Sequence, residues 1–447
     1  MTVEVTHAGS RGAIATGHET ATRIGQEVLE SGGSACDAAV AAAFSLAVLL
    51  PEACGLGGDA FALVATPGET IAVNGSGDAP ADWINTSWTS GAATATVPGA
   101  VAALADMHSR FGCRDWSSLL APSIDLAVQG MAVSPTLRRA LILRSDVLDA
   151  TAKDWSVRQS MHSSDGHVTQ PELAAVLEQI ATHGPSIFYE GWISEALVSS
   201  ARQGGSLLTR KDLAEHTSDI AGPVRMDLGA WAVEVQPPVS QAALIPFALN
   251  AIRRSDKPRV PREHLMAEAL EEGFAWRPLL SHPSAISSLP WDWTPPGVQA
   301  RRLHGARGSS HTTSICTADA DGTVVTLLIS VFHEFGSGYL VPELGFFLND
   351  RMLGFRDTRD ERAQRPVHTL SPAVVRTASS CIGLATPGAD AQVQVLAQVM
   401  DGVFNQGHSW DEALARPRWR LDAGQLVIEE GTPTPLVRQM RELGHDI

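Results

Sequence analysis

The stretch SSHTTSICTADADGTVVTLLIS, residues 309–330, sets two threonines at the mouth of an alternating apolar run in the last third of the chain. TTSICTA, the turn DADG and TVVTLLISV read as two antiparallel strands joined over Asp321-Gly322, a dipeptide that favours a tight hairpin. Thr is common in strands and its hydroxyl is a poor nucleophile, so the plain reading of Thr312 and Thr313 is a strand start. The flanking sequence supplies a second reading. Residues 281–310, SHPSAISSLPWDWTPPGVQARRLHGARGSS, are rich in Pro, Ser, Gly and Arg and have no period, which marks a linker or exposed loop. Were the chain cut after His311, Thr312 would become an N-terminus whose α-amine lies beside its own hydroxyl as general base. Such an amine titrates near about 7.7–8.0, close enough to neutral pH to serve as a base.

Composition limits what else the chain does. It has 447 residues, 44% apolar and 18% charged, which is globular and long enough for an ample core. A formal charge of -16 and a pI near 5.3 argue against nucleic acid and anionic membrane as partners, since both need a basic footprint. Five scattered cysteines (Cys36, Cys54, Cys113, Cys316 and Cys381) without CxxC spacing read as free, mostly buried thiols. The histidines lack metal-ligand spacing, and GLGGD at 55–59 lacks the Lys of a phosphate loop and reads as a structural turn. The first residues lack the layout of a signal peptide, and the apolar run 38–50 is too short to span a membrane. A cytoplasmic protein is the expectation.

Outward from the hairpin the chain reads as helix-rich, then linker, then β-rich. ETATRIGQEVLES has helical spacing and stops at Gly32-Gly33. DAAVAAAFSLAVLLPE is apolar nearly all round, so it must be buried on most sides. GLGGDAFALVATPGETIAVNGSG suggests two strands joined by a TPGE turn. Residues 100–290 read as mainly helical, and YLVPELGFFLND as a further strand pair. Trp291 and Trp293 read as part of a surface loop.

Many of these segments resemble, in order, the γ-glutamyltranspeptidase family of N-terminal nucleophile hydrolases. They are the block 32–64 ending GLGGDAFALV, TVPGAVAAL (96–104), PSIDLAVQGMAVSP (122–135), GGSLLTRKDLAEH (204–216) and HLMAEALEEGFAWR (264–277). HTTSICTADADG, FGSG (335–338), GFFLNDRM (345–352), RPVHTLSPAVV (365–375) and the region from LATPGADAQ (384–392) onward continue the series. The resemblance implies an α/β fold, a four-layer αββα sandwich with two antiparallel-rich sheets between helical layers. It implies self-cleavage at His311-Thr312 into fragments 1–311 and 312–447, which interleave into one catalytic domain. Thr312 falls on the family's nucleophile and Ser330 on a supporting hydroxyl. Gly388 and Ala389 fall on a glycine pair whose amides form an oxyanion hole, a role Ala fills if its backbone angles are accessible. No cofactor or metal is implied; the partner is a small-molecule substrate, the two fragments stay associated, and homodimerisation is left open.

The substrate pocket departs from the family pattern. The Arg that holds a γ-glutamyl α-carboxylate falls on Ser76, the Asp that holds the α-amine on Gly354, and the serine pair on His368-Thr369. An amino-acid head group would leave its charges unmatched, at a cost of several kcal/mol. Arg351 and His368 stand where an acidic group placed differently on the acyl part can bind. Asp78 stands where a divergent branch, resembling oxamate amidohydrolases and alkylproline-pathway homologues, has an Arg. The expected reaction is hydrolysis of the bond to a small carboxylated, oxalyl-like acyl group. C–C bond hydrolysis in an alkylproline antibiotic pathway, true γ-glutamyl transfer and a non-catalytic homologue are the alternatives.

Overall fold

A computed structural model describes residues 5–83, 90–159, 167–295, 299–300, 311–357 and 364–447. The chain divides into two compact units, residues 1–222 with 310–356, and residues 223–309 with 357–447.

The first unit is built on a seven-stranded antiparallel sheet. Its order is Val5–Gly9, Gly12–Thr16, His311–Asp319, Val324–Phe332, Asp59–Ala65, Thr70–Gly75 and Asp219–Ala221. The expected hairpin therefore lies in mid-sheet. It turns where Asp319 Oδ1 accepts from the amides of Asp321 and Thr323 and Gly322 takes a φ of +84°. The TPGE turn closes as expected, with the Thr66 amide donating to Glu69 O at 2.8 Å. Helix Ala35–Leu49 is buried along its whole length and starts in a Ser34/Asp37 capping box. It is tied to the hairpin: Thr317 Oγ1 donates to Ala35 O at 2.7 Å, and the Ala35 amide to Asp319 Oδ2 at 2.9 Å. YLVPELGFFLND yields only a two-residue pair, Leu340–Val341 with Phe346–Phe347.

The second unit carries a four-stranded antiparallel sheet, Cys381–Leu384, Ala373–Thr377, Trp231–Val235 and Val224–Asp227 in that order. Its core joins these strands to helices Leu244–Arg254, Arg262–Trp276 and Ala391–Phe404. Residues 100–290 are mainly helical as expected, but the stretch 219–235 within them supplies three strands, one to the first unit's sheet and two to this one. Trp291 and Trp293 are not free surface residues. Both pack on Phe247, with ring centroids 6.2 and 6.0 Å away. Of the linker, residues 296–298 and 301–310 lie outside the described residues. None of the five cysteines is in a disulfide, but Cys36 and Cys54 alone are buried. Among the described residues no helix is long and apolar enough to cross a membrane.

Candidate active site

The strand His311–Asp319 and its return strand Val324–Phe332 run in regular register except at the opening threonine. His311 pairs with Phe332 and Thr313 with Ile329, so Thr312 alone faces both Ser330 and Val331. This is a β-bulge, a device that re-aims a side chain and sharpens the local twist. Next to it Phe332 takes a φ of +83°. The bulge brings three groups together. Thr312 Oγ1 donates to Ser330 Oγ at 3.2 Å, and Ser330 Oγ donates to His311 O at 2.9 Å. The Phe332 amide donates to Ser330 Oγ at 2.9 Å. One hydroxyl has one proton to give and two lone pairs, so Ser330 is fully used. It binds both the Thr312 hydroxyl and the carbonyl oxygen of the His311-Thr312 peptide bond. Thr313 packs instead beneath Gly17, where an added Cβ would come within 2.6 Å of its Oγ1.

The residues around the bulge are acidic. His311 Nε2 lies 2.5 Å from Glu334 Oε1. Glu52 receives the Phe335 amide on its backbone oxygen at 3.0 Å and is buried. Burial, with a smaller contribution from the charge of Glu334, pushes the Glu52 carboxyl up to about 7.

Arg351 lies in the same unit and is fully buried. Its Nε donates to Asp59 Oδ2 at 3.1 Å, and its guanidinium carbon sits 4.2 Å from the centre of the Phe332 ring. Asp59 stands opposite Ser330 in the ladder, and Phe332 opposite His311. The guanidinium is therefore held by residues paired with the two that frame Thr312. Its Nη1 and Nη2 meet no protein acceptor among the described residues. Burial draws its pKa down, against the opposing charges of Asp59 and Asp350. Asn349 fixes the preceding turn: its Oδ1 accepts from the Arg351 amide at 3.0 Å and the Thr96 amide at 3.0 Å.

Ser76 and Asp78 sit on the neighbouring loop. Ser76 is buried, and its hydroxyl is turned onto Asn74 Oδ1 at 2.7 Å. The Gly77 amide donates to Asp59 Oδ1 at 3.2 Å, so this loop and Arg351 share one carboxylate. Asp78 is half-buried and receives the Val97 amide on its backbone oxygen at 3.0 Å. Gly354 follows in the 3₁₀ turn Arg351–Asp357.

In the second unit, Gly388 and Ala389 form the turn between strand Cys381–Leu384 and helix Ala391–Phe404. Their φ values are +119° and +51°. Ala389 thus adopts the left-handed conformation that the family's glycine would take freely, at a cost of about 1–2 kcal/mol. The Gly388 carbonyl accepts from the Ala391 amide at 2.9 Å and the Ala389 carbonyl from Gln392 at 3.1 Å. Among the described residues neither the Gly388 nor the Ala389 amide meets a protein acceptor. They stand at a helix N-terminus, where the backbone dipole favours negative charge. His368 is buried, with Nδ1 accepting from the Leu370 amide at 3.2 Å. Thr369 Oγ1 is buried without a partner among the described residues.

Four functional neighbours escaped the reading of the sequence. Asp59 was placed in a turn of structural character, yet it begins a strand and pairs with Arg351. Asn349 carries no signal beyond its place in GFFLNDRM, and Glu334 and Glu52 none beyond standing beside FGSG and GLGGD. Among the described residues no group of His, Cys, Asp or Glu side chains is arranged to hold a metal ion.

The sequence profile of the family described as Gamma-glutamyltranspeptidase matches residues 21–447. The chain is 29% identical to the Glutathione hydrolase-like YwrD proenzyme of Bacillus subtilis, over 92% of this chain and 85% of that one. It is 28% identical to the Oxamate amidohydrolase proenzyme of Klebsiella pneumoniae, over 98% and 91%. Among solved structures it is similar to cephalosporin acylase from Bacillus halodurans, with a TM-score of 0.84 at 26% identity over 100% of this chain and 90% of that one. The fold class is the α/β, antiparallel-sheet class of N-terminal nucleophile hydrolases.

Proposed function

The chain belongs to the γ-glutamyltranspeptidase family and is an N-terminal nucleophile hydrolase, and within that family we propose a self-processing threonine enzyme that hydrolyses the bond to a small carboxylated acyl group. The observation that carries this reading is the relay from Thr312 through Ser330 to the His311 carbonyl. It is the arrangement an acyl shift needs. Thr312 Oγ adds to the His311 carbonyl carbon while Ser330 holds the carbonyl oxygen. The Thr312 nitrogen leaves with a proton, and water cleaves the resulting ester to give a His311 carboxylate and a free Thr312 amine.

The freed amine then acts as base for the same hydroxyl. Thr312 Oγ attacks the substrate carbonyl, the amides of Gly388 and Ala389 receive the oxyanion, and the leaving group departs with the proton taken by the amine. Water, deprotonated by the amine, hydrolyses the acyl-enzyme and regenerates Thr312.

Arg351 supports the substrate class. Two buried guanidinium nitrogens without a protein acceptor among the described residues are costly unless a ligand meets them, and a carboxylate matches their forked geometry. Ser76 stands where the family resemblance puts the arginine of a γ-glutamyl pocket, and its hydroxyl is engaged by Asn74. The relative named oxamate amidohydrolase is consistent with an oxalyl-type acyl group.

Intact mass and ammonia release test the proposal together. Purified protein resolves into fragments 1–311 and 312–447, T312A stays whole, and oxamate is turned over faster than γ-glutamyl-p-nitroanilide. A wild-type chain that stays uncut on long incubation, or a robust γ-glutamyl rate, would overturn it.

A further inference from the structure

Gly388 and Ala389 are held by a buried ion pair that reaches them from a distant helix. Arg277 closes helix Arg262–Trp276 and is 5% exposed. Its Nη1 donates to Asp390 Oδ1 at 2.5 Å and to Gln241 Oε1 at 3.4 Å. The guanidinium also lies 5.6 Å from the centre of the Phe274 ring. Gln241 in turn donates from Nε2 to Ala389 O at 3.4 Å, while its own amide is fixed on His368 O at 2.9 Å. Asp390 is the residue after Ala389 and the N-cap position of the helix, but its side chain makes no capping bond there. Its carboxylate is turned to Arg277 instead.

This arrangement has a direct geometric consequence. Ala389 stands at a φ of +51°, a conformation that persists only where the surroundings over-determine it. The Ala389 carbonyl is held from two directions, by the Gln392 amide and by Gln241. The Gly388 carbonyl is held by the Ala391 amide. In a planar trans peptide the N–H points opposite the carbonyl, so tying the Gly388 carbonyl to the helix turns the Ala389 N–H away from it.

We infer that Arg277, acting through Asp390 and Gln241, is a positioning residue that holds the Gly388–Ala389 amides in their oxyanion-binding orientation. The inference rests on the proposed oxyanion role of that turn. It also predicts a separation of two reactions. During self-cleavage the carbonyl oxygen of His311 is held by Ser330, in the first unit. Turnover of substrate relies on the amides that Arg277 supports. Loss of the guanidinium should therefore slow turnover and spare self-cleavage.

The test uses the full chain as wild type, R277Q, R277K and D390N. Self-cleavage is read by intact mass, kcat and KM by ammonia release from oxamate, and loop order by hydrogen exchange of a peptide spanning residues 385–392. Removing one oxyanion donor costs about 10²–10³ in kcat, and misaligning one costs less, so a drop of about 10- to 100-fold is expected in R277Q and D390N. KM stays within about threefold, cleavage runs to completion, exchange in the loop accelerates, and R277K regains part of the rate. An unchanged kcat in R277Q overturns the inference. So does a parallel loss of cleavage, folding and turnover in all three variants, which would make the pair merely structural. If wild type self-cleaves but ignores oxamate, the substrate reading fails by itself. Loop exchange still decides, and unaltered protection in R277Q overturns the role of Arg277.

Discussion

Replacing Ser330 by Ala removes three hydrogen bonds at once and should stall self-cleavage before it harms the fold. The Phe332 amide loses its acceptor, the Thr312 hydroxyl loses its acceptor, and the His311 carbonyl loses its donor. Each buried group left unmatched costs about 1–3 kcal/mol, although the exposed fraction at His311 lets water recover some of this. A net loss of about 2–4 kcal/mol is tolerable for a chain of this size, so S330A should fold. Cleavage is hit harder. The hydroxyl that binds the scissile carbonyl oxygen stabilises the negative charge developing there, and removing one such donor slows acyl chemistry about 10²–10³-fold. The assay is a time course of purified S330A at fixed temperature, following the intact chain against fragments 1–311 and 312–447. S330T is the control, since it keeps the hydroxyl and adds one methyl at a fully buried site, for about 1–3 kcal/mol of overpacking. Wild-type cleavage kinetics in a folded S330A would refute the relay.

Three further outcomes follow from other groups. Glu52 is an acid whose pKa rises from 4.5 to about 7 on folding, so the native state holds a proton that the unfolded state has released between those pH values. Stability therefore falls as pH rises through that window, by about 3 kcal/mol in all; E52Q should flatten this slope in denaturant melts from pH 4.5 to 8. R351K keeps the charge beside Asp59 but loses the forked donors, so KM for oxamate should rise about tenfold with kcat little changed; equal KM values would remove Arg351 from the substrate. A389G removes the left-handed strain and should raise stability by about 1 kcal/mol with activity within threefold, as read by thermal unfolding and steady-state rates.

The hairpin was legible because its turn chemistry and alternation are local, and helix Ala35–Leu49 because an apolar helix of small residues has one solution. The strands of 219–235 were not. WAVEV is buried at every position, so it lacks the alternation that separates a half-buried strand from a short helical segment. The signal present was its bracketing by Gly229 and Pro237. Family resemblance singled out Thr312, Ser330, Arg351, Gly388 and Ala389 as candidates, but not the residues that each of them meets. Asp59 meets Arg351 across 292 positions of sequence, and Arg277 meets Asp390 across 113. Neither pairing has a local signature. The φ of +51° at Ala389 lies in the left-handed region, which a residue other than glycine seldom adopts and which no local sequence signal announces.

Cutting the chain at His311-Thr312 would leave the first unit's sheet intact, and this follows from where the hairpin sits. Residues 312–332 form the third and fourth strands of seven. On one side they pair with Gly12–Thr16 at five positions, on the other with Asp59–Ala65 at seven, and both partners belong to fragment 1–311. Withdrawing the small fragment would break both ladders and expose an apolar hairpin, so cleavage there would sever a covalent bond without separating the pieces. An amine freed by that cut would also stay in place. Thr312 is 6% exposed and is followed by a strand in regular register from Thr313 onward. The same mid-sheet position that makes the hairpin hard to remove is what would keep an N-terminal residue, ordinarily the most mobile part of a chain, fixed enough to act as a nucleophile.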